Sequence, residues 1–263
     1  MIRISRTATA VLGIIAGFVL LVLYGPLLVA VFFSFFGFQN NAVQWDSFSF
    51  AAYAALANDE GIIEAVVNTL IVGAAAVGLA LVLGTALAFH YNGSRSRFRE
   101  ALQLVIFLPF LMPPIITGLS LLIFFREADI PRSLWTVVIG HTVFVLALVY
   151  RIVLTRLQSL RSSLVEASLD LGASRWQTFR YVLLPSLLPA IGSAAILAFA
   201  LSFDETLITL LVTGTDSTLP MRLWGMMRMG FTPDINALVA LILVGSTLLA
   251  LLAIRFVKLP SQQ

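Results

Sequence analysis

Long apolar runs alternate with short polar connections along the whole chain. Runs free of charged residues cover 7–45, 65–94, 101–125, 133–150, 181–203 and 235–254. Each is near or above the roughly 18 apolar residues that predict a membrane-spanning helix. The pattern therefore predicts an all-α, polytopic membrane protein with six transmembrane helices.

The composition agrees with this class of protein. Hydrophobic residues make up 60% of the chain, charged residues only 11%, and the mean hydropathy is +1.01, which is far from the balance of soluble proteins. The first apolar run follows Arg3 and Arg6 as in a signal peptide, but it exceeds the roughly 7–15 residues of a cleavable apolar region, so we interpret it as a retained anchor. The chain has no cysteine, which excludes disulfides and thiolate metal sites.

The basic residues predict the orientation, because positively charged loops stay in the cytoplasm. With both termini inside, the predicted cytoplasmic segments hold Arg3, Arg6, Arg95, Arg97, Arg99, Arg151, Arg156, Arg161, Arg175, Arg180, Arg255 and Lys258. The opposite side holds Arg126, Arg132, Arg222 and Arg228 and most of the acids. The net charge of +3 reflects this bias and does not indicate nucleic acid as a partner.

Small residues and prolines mark two of the predicted spans. Span two carries Gly73, Gly78 and Gly84, and such residues let helices approach closely in lipid. Span three begins with Pro109, Pro113 and Pro114, which remove amide donors and predict a bent or interrupted helix. Broken backbone in a membrane requires protein or a wet cavity beside it, so this stretch either lines a path or is a packing kink.

The connection between spans four and five predicts two short helices with a sharp corner. Ser163 with Glu166 and Ser174 with Gln177 have the spacing of capping boxes, and Gly172 suits the left-handed residue that ends a helix. On the first helix an apolar stripe runs beside a charged flank. The stripe is Leu164, Ala167 and Leu171, and the flank is Glu166 and Asp170. The segment is either a surface for a protein partner or an amphipathic stretch on lipid headgroups.

A family resemblance favours the protein partner. Glu166-Ala167-Ser168, three residues, Gly172, nine residues, Val182, one residue and Leu184-Pro185 resemble the EAA loop of ABC importer permeases, with Ser168 for alanine and Val182 for isoleucine. The resemblance extends to Asn68-Thr69-Leu70 and the proline-rich start of span three.

It implies the type I ABC importer permease fold over 62–257, after a first helix and external segment at 1–61 and before a cytoplasmic tail at 258–263. It also implies that the loop, about 156–185, docks in a groove of a cytoplasmic ATPase through Glu166, Ala167, Ser168, Asp170, Gly172 and Ala173. The chain has no GxxxxGK phosphate-binding loop and one lysine, Lys258. We therefore expect a transport subunit rather than an enzyme, binding no cofactor itself, with ATP and Mg on the partner.

Adjacent acids near the outer end of span five are the candidates for the solute path. Ionisable groups at such depth usually face a cavity or partner. Asp204 and Glu205 point about 100° apart on a helix, and we favour Asp204 as the one that faces the path and attracts cations. The alternative is a structural cap or an ion pair with Arg222 or Arg228. Phe203, Tyr150 and Trp224 are candidate cation-π contributors.

The two histidines do not suggest a metal site, because they are isolated and predicted to lie on opposite sides of the membrane. We expect His90 and His141 to be packed or interfacial residues.

A second resemblance concerns the solute. FDET at 203–206 and TLPMRLWGMMRMGFTPDINAL at 218–238 resemble the second permease subunit of spermidine/putrescine importers. This implies a bacterial inner-membrane importer with two different permeases, two ATPase copies and a periplasmic substrate-binding protein. Permeases for opine or amino-acid-like compounds, aminoethylphosphonate or iron stay open as alternatives, as does an ATP-independent secondary carrier.

Overall fold

A computed structural model describes residues 6–39, 42–93, 98–229 and 233–256. Within those ranges the chain is helical apart from loops and one short hairpin. The predictions for Arg3, Arg95, Arg97, Lys258 and the tail at 258–263 lie outside the described residues. The helices are distributed over two compact units, one with residues up to Ile63 and Leu223–Ala250, the other with Glu64–Arg222 and the described end of the last helix.

The first unit begins with a long apolar helix. Its elements are α1 (Arg6–Phe33), β1 (Gly37–Gln39), β2 (Ala42–Gln44), α2 (Ala51–Asn58) and most of α12 (Pro233–Phe256). The strands pair antiparallel, with Phe38 opposite Val43, so the all-α prediction misses a small hairpin. Aromatic rings hold the segment after α1 together, as in the stacked pair Phe35 and Phe48 at 5.6 Å.

The second unit contains the elements on which the predicted function depends. In chain order they are α3 (Glu60–Gly93, whose start belongs to the first unit), α4 (Phe98–Leu111), α5 (Pro114–Glu127), α6 (Leu134–Ser159), α7 (Ser162–Asp170), α8 (Arg175–Thr178), a π-helical turn (Phe179–Leu183), α9 (Leu184–Asp204), α10 (Leu207–Val212) and the start of α11 (Leu219–Met229).

Helix α6 lies at the centre of the second unit and packs along α9. Val149 and Leu154 of α6 share a buried cluster with Ala194 and Ala198 of α9. The small side chains of α9 let the two backbones come close, since without a hydrophobic driving force in lipid the packing depends on close van der Waals contact.

Two of the three glycines predicted to permit close packing of span two do so. A Cβ at Gly73 would come within 2.7 Å of the Phe199 ring, and one at Gly84 within 2.9 Å of Val149 Cγ1. Gly78 has no atom near its would-be Cβ within the described residues. The prediction is thus confirmed for Gly73 and Gly84, whereas Gly78 lies on an open face of α3.

The third predicted span is broken, as its prolines predict. Helices α4 and α5 meet at an angle of 107°, with Pro113 preceding α5 and Pro114 opening it. The carbonyl of Pro109 would normally accept from residue 113, but proline has no amide proton. The Thr117 hydroxyl donates to that carbonyl instead at 3.2 Å, so the break leaves this acceptor satisfied.

The number of spans in the structure differs from the predicted six. Among the described residues, the helices long and apolar enough to cross a membrane are Thr9–Phe33, Glu60–Gly93, Leu134–Ser159 and Arg175–Asp204, and the bent α4–α5 pair would make a fifth. The sixth predicted span falls on α12, whose described apolar part, Pro233–Leu248, is shorter. A multi-span helical membrane fold is confirmed, while the sixth span stays a prediction.

Candidate functional site

The corner between α7 and α8 is built by backbone hydrogen bonds around Gly172. Gly172 has φ of +85°, a conformation that side chains with a Cβ rarely adopt. Its amide donates to the Leu169 carbonyl at 2.9 Å, and the Ala173 amide donates to the Ser168 carbonyl at 3.1 Å. These two bonds form the Schellman motif that ends a helix, so the predicted role of Gly172 in the corner is confirmed.

One of the two predicted capping boxes is present. The Gln177 amide donates to Ser174 Oγ at 3.2 Å, and the Ser174 amide donates to Gln177 Oε1 at 2.7 Å. The predicted box of Ser163 and Glu166 is wrong, because α7 begins at Ser162 with Arg161 as its N-cap. Ser163 is therefore inside the helix, where its side chain cannot cap the free amides.

A pair of hydroxyls closes the corner on its inner side. Ser168 Oγ lies 3.0 Å from Thr178 Oγ1, and Thr178 Oγ1 donates to the Ser174 carbonyl at 3.1 Å. Because Thr178 donates its one hydroxyl proton there, Ser168 donates to Thr178. Ser168 is one of the two residues at which the chain departs from the EAA-loop pattern, and its hydroxyl links α7 to the end of α8.

The outer face of the α7–α8 corner combines exposed apolar and acidic side chains. Leu171 is 89% exposed and Trp176 66%. Glu166, Ala167 and Asp170 are exposed as well, and Ala173 is half-buried. Exposed large apolar side chains beside acidic ones are typical of a binding surface for another molecule.

The second candidate region is the break between α9 and α10. Helix α9 ends at Asp204, whose side chain is exposed, whereas Glu205 is only 8% exposed. Glu205 Oε1 accepts from the Ile208 amide at 2.9 Å, which satisfies a free amide at the start of α10. The two acids are therefore different: Glu205 supports the backbone, and Asp204 leaves its carboxylate accessible.

A buried histidine bridges the two helices on either side of this break. His141 of α6 places Nδ1 2.8 Å from Ser202 Oγ of α9 and Nε2 2.8 Å from Thr209 Oγ1 of α10. Thr209 donates its hydroxyl proton to the Glu205 carbonyl at 3.0 Å. It therefore accepts from Nε2–H, and a neutral ring accepts at Nδ1 from Ser202.

Helix α10 is also fixed by close packing. The side chain of Ile208 is fully buried between two glycines: a Cβ on Gly140 would lie 2.7 Å from Ile208 Cγ2, and one on Gly118 would lie 3.1 Å from Ile208 Cα. Thr136 Oγ1 donates to the Val212 carbonyl at 2.7 Å. Close packing and a hydrogen bond thus both hold α10 at the break.

The other predicted path residues lie in different surroundings. Phe203 is half-buried, 6.3 Å from the Phe199 ring. Tyr150 is fully buried beside Tyr91 and Phe107, with no hydrogen-bond partner for its hydroxyl among the described residues. Tyr150 therefore presents no surface to a solute in this conformation.

Trp224 belongs to the first unit. Its ring is covered by the Arg228 guanidinium at 3.9 Å, a stacked cation-π contact. Within the described part of the second unit, Asp204 forms no ion pair with Arg222, so this alternative for the acid is not supported.

Three of the side chains that organise the break are His141, Ser202 and Thr209. His141 is packed, as predicted, but its contacts with Ser202 and Thr209 are not indicated by the sequence. The available signal was the occurrence of polar residues inside apolar spans, which usually mark partners or paths. The described residues contain no group of three or more His, Cys, Asp or Glu that could hold a metal ion.

Comparison with known proteins shows the family of the chain. Residues 76–261 match the family described as "Binding-protein-dependent transport system inner membrane component". The chain belongs to this family, the inner-membrane permeases of binding-protein-dependent ABC transporters. It is thus a multi-pass protein of the bacterial inner membrane and a permease component rather than an ATPase.

Curated relatives extend the similarity over most of the chain. The chain is 36% identical over 250 residues to the putrescine transport system permease protein PotI of Escherichia coli, covering 91% of this chain and 87% of PotI. It is 31% identical over 232 residues to the spermidine/putrescine transport system permease protein PotC of Haemophilus influenzae, covering 88% and 90%.

Solved structures share the fold at low sequence identity. A bacterial ABC transporter involved in the import of the acidic polysaccharide alginate matches with a TM-score of 0.75 at 17% identity, over 97% of this chain and 96% of that one. The MetNI methionine ABC transporter, in inward-facing conformations, matches with a TM-score of 0.63 at 21% identity, over 75% and 93%.

Proposed function

We propose that this chain is one of two different permease subunits of an ATP-driven importer for a small cationic solute of the polyamine class, such as putrescine or spermidine. Its partners are the second permease, two copies of a cytoplasmic ATPase that carry ATP and Mg, and a periplasmic substrate-binding protein. In this proposal the chain crosses the membrane six times with both termini in the cytoplasm. Residues 1–61 form the first transmembrane helix and an external segment, 62–257 the permease domain, and 258–263 a cytoplasmic tail.

The α7–α8 corner is proposed to dock on the ATPase. A docking element has to keep its shape when a partner pushes on it, and the Schellman motif, the Ser174 box and the Ser168–Thr178 pair brace this corner from within. Its exposed face offers Leu171 and Trp176 for apolar contact and Glu166 for a basic group. Movement of the corner then passes directly into α6 and α9, which flank it.

The exposed carboxylate of Asp204 is the observation that carries the proposed cationic solute. It lies at a helix break in an apolar span, with no ion pair among the described residues. An uncompensated acid in such surroundings is costly unless a cation or water reaches it. The names of the PotC and PotI relatives support the same solute class, whereas the fold alone does not, since its neighbours include transporters of alginate and methionine.

The proposal is tested by transport in proteoliposomes that hold the complete complex with ATP inside. We expect uptake of labelled putrescine or spermidine that requires ATP and survives an uncoupler. Asp204→Asn should raise the KM for the cation by about tenfold, because hydrogen bonds to charged groups contribute about 1.5–3 kcal/mol. Assembly with the ATPase should be unchanged, since Asp204 is remote in sequence from the coupling corner.

Asp129→Asn is the matched control. Asp129 is also exposed, is predicted to lie on the same side of the membrane, and has a φ of 53° that asparagine tolerates. This substitution removes the same charge from the same face. The KM should stay within about twofold of that of the unmodified protein, the size expected of a long-range field. Uptake by this chain without the ATPase, or a KM unaffected by Asp204→Asn, would contradict the proposal.

A further inference from the structure

A side chain of α6 bridges the two helices on either side of the α9–α10 break. His141 contacts Ser202, two residues before Asp204, and Thr209, five residues after it, both at 2.8 Å. All three side chains are buried. Since α9 ends at Asp204, the histidine bridges the helix end that carries the exposed acid and the helix that follows it.

The bridge has few alternatives for its hydrogen bonds. Thr209 already donates to the Glu205 carbonyl, and the Glu205 carboxylate already accepts from Ile208. An imidazole presents two nitrogens on opposite edges of a rigid ring, so it sets the separation of the two hydroxyls. In a buried site, loss of one partner leaves a polar group unsatisfied.

We propose that His141 is a positioning residue of the solute path: through Ser202 and Thr209 it fixes the α9–α10 break and thereby the direction in which Asp204 presents its carboxylate. The inference rests on the proposed function, in which Asp204 meets the cation. His141 makes no contact with the α7–α8 corner through these two bonds, so its proposed role concerns the solute path.

The test is uptake kinetics of putrescine by the complete complex carrying His141→Phe, which keeps the ring and removes both hydrogen bonds. We expect the KM to rise by about three- to tenfold, the effect of losing one or two hydrogen bonds, with Vmax per assembled complex little changed. Thr142→Val is the control, because Thr142 is the next residue on α6, is buried too, and bonds to the Val138 carbonyl at 2.7 Å rather than to the break.

Conservative variants keep the test informative if phenylalanine impairs folding. His141→Asn places its amide near the position of Nδ1 and can restore the bond to Ser202, while His141→Gln places it near Nε2 and can restore the bond to Thr209. Both should give KM values between those of the unmodified protein and His141→Phe. A purely structural role would lower the amount of complex and leave KM unchanged in all three variants, which would overturn the proposal.

A double variant separates the failure of this inference from that of the proposed function. If His141 acts through Asp204, His141→Phe should add little to the KM of Asp204→Asn, because coupled residues are not additive. Additive effects would overturn the positioning role and leave the proposed function intact. An Asp204→Asn variant with an unchanged KM would refute the proposed solute contact and this inference with it.

Discussion

The α7–α8 corner and the α9–α10 break are both sharp changes of chain direction, but they are stabilised in different ways. The corner is exposed and held by bonds between residues at most ten apart, such as Ser168 and Thr178. The break is buried and held by His141, which is 61 and 68 residues from its partners. The exposed corner is thus specified locally, while the buried contacts at the break depend on the packing of the whole unit.

The largest expected effect concerns the buried break. Gly140→Ala places a methyl group 2.7 Å from Ile208 Cγ2, and Ile208 is fully buried and also packs closely against Gly118 through its Cα. We expect a destabilisation of about 1–3 kcal/mol, typical of overpacking, measured as a lower thermal midpoint of the purified complex.

Gly78→Ala is the control for Gly140→Ala. Gly78 also lies within a long helix, but no atom of the described chain would meet its Cβ. Its thermal midpoint should be unchanged or slightly higher, because alanine favours helix by up to about 1 kcal/mol. If both variants lowered the thermal midpoint equally, close packing at the break would not be the cause of the loss in Gly140→Ala.

The next effect concerns the exposed corner. Gly172→Val puts a β-branched residue at φ of +85°, which costs about 1–2 kcal/mol and reduces the correctly formed corner by roughly 5- to 30-fold. We expect uptake and ATPase association to fall while the thermal midpoint of the membrane part is retained, since among the described residues, chain neighbours aside, no atom would lie within 4 Å of a Cβ at Gly172.

Gly172→Asn tests the cause of that loss. Asparagine tolerates the left-handed region better than valine, so this variant should keep most of the uptake. If both variants were equally inactive, the missing side chain rather than the backbone conformation would be the important property of Gly172.

The same contrast explains what could be predicted from the sequence. Some residues act through their own backbone or that of near neighbours, and the structure confirms what they predict. These are Gly172 for the turn, Ser174 with Gln177 for the cap, and Pro109 with Pro113 for the kink. The Ser163 box is wrong because its spacing is necessary but not sufficient: the helix begins at Ser162, two residues before the start that a Ser163 cap requires.

The long-range contacts could not be read from the sequence in the same way. Nothing near His141 indicates that Ser202 and Thr209 lie beside it, because their meeting depends on how α6, α9 and α10 pack. Similarly, Gly73 and Gly78 have the same sequence signal but lie on a packed and an open face of α3. The hairpin after α1 was missed because its strands have only three residues each.

The smallest expected effect tests whether the corner needs its hydroxyl pair. Ser168→Ala restores the alanine of the EAA pattern and removes the bond to Thr178, which should cost about 0.5–1.5 kcal/mol and lower the uptake per ATP hydrolysed by a few-fold. Thr178→Val removes the same bond and also the bond to the Ser174 carbonyl, so its effect should be at least as large. The double variant should be no worse than Thr178→Val, because the Ser168–Thr178 bond can be lost only once. Ser163→Ala, an exposed serine on the same helix, is the control. Additive losses would mean that the two hydroxyls act separately, and no loss in any of these variants would mean that the corner depends on its backbone bonds alone.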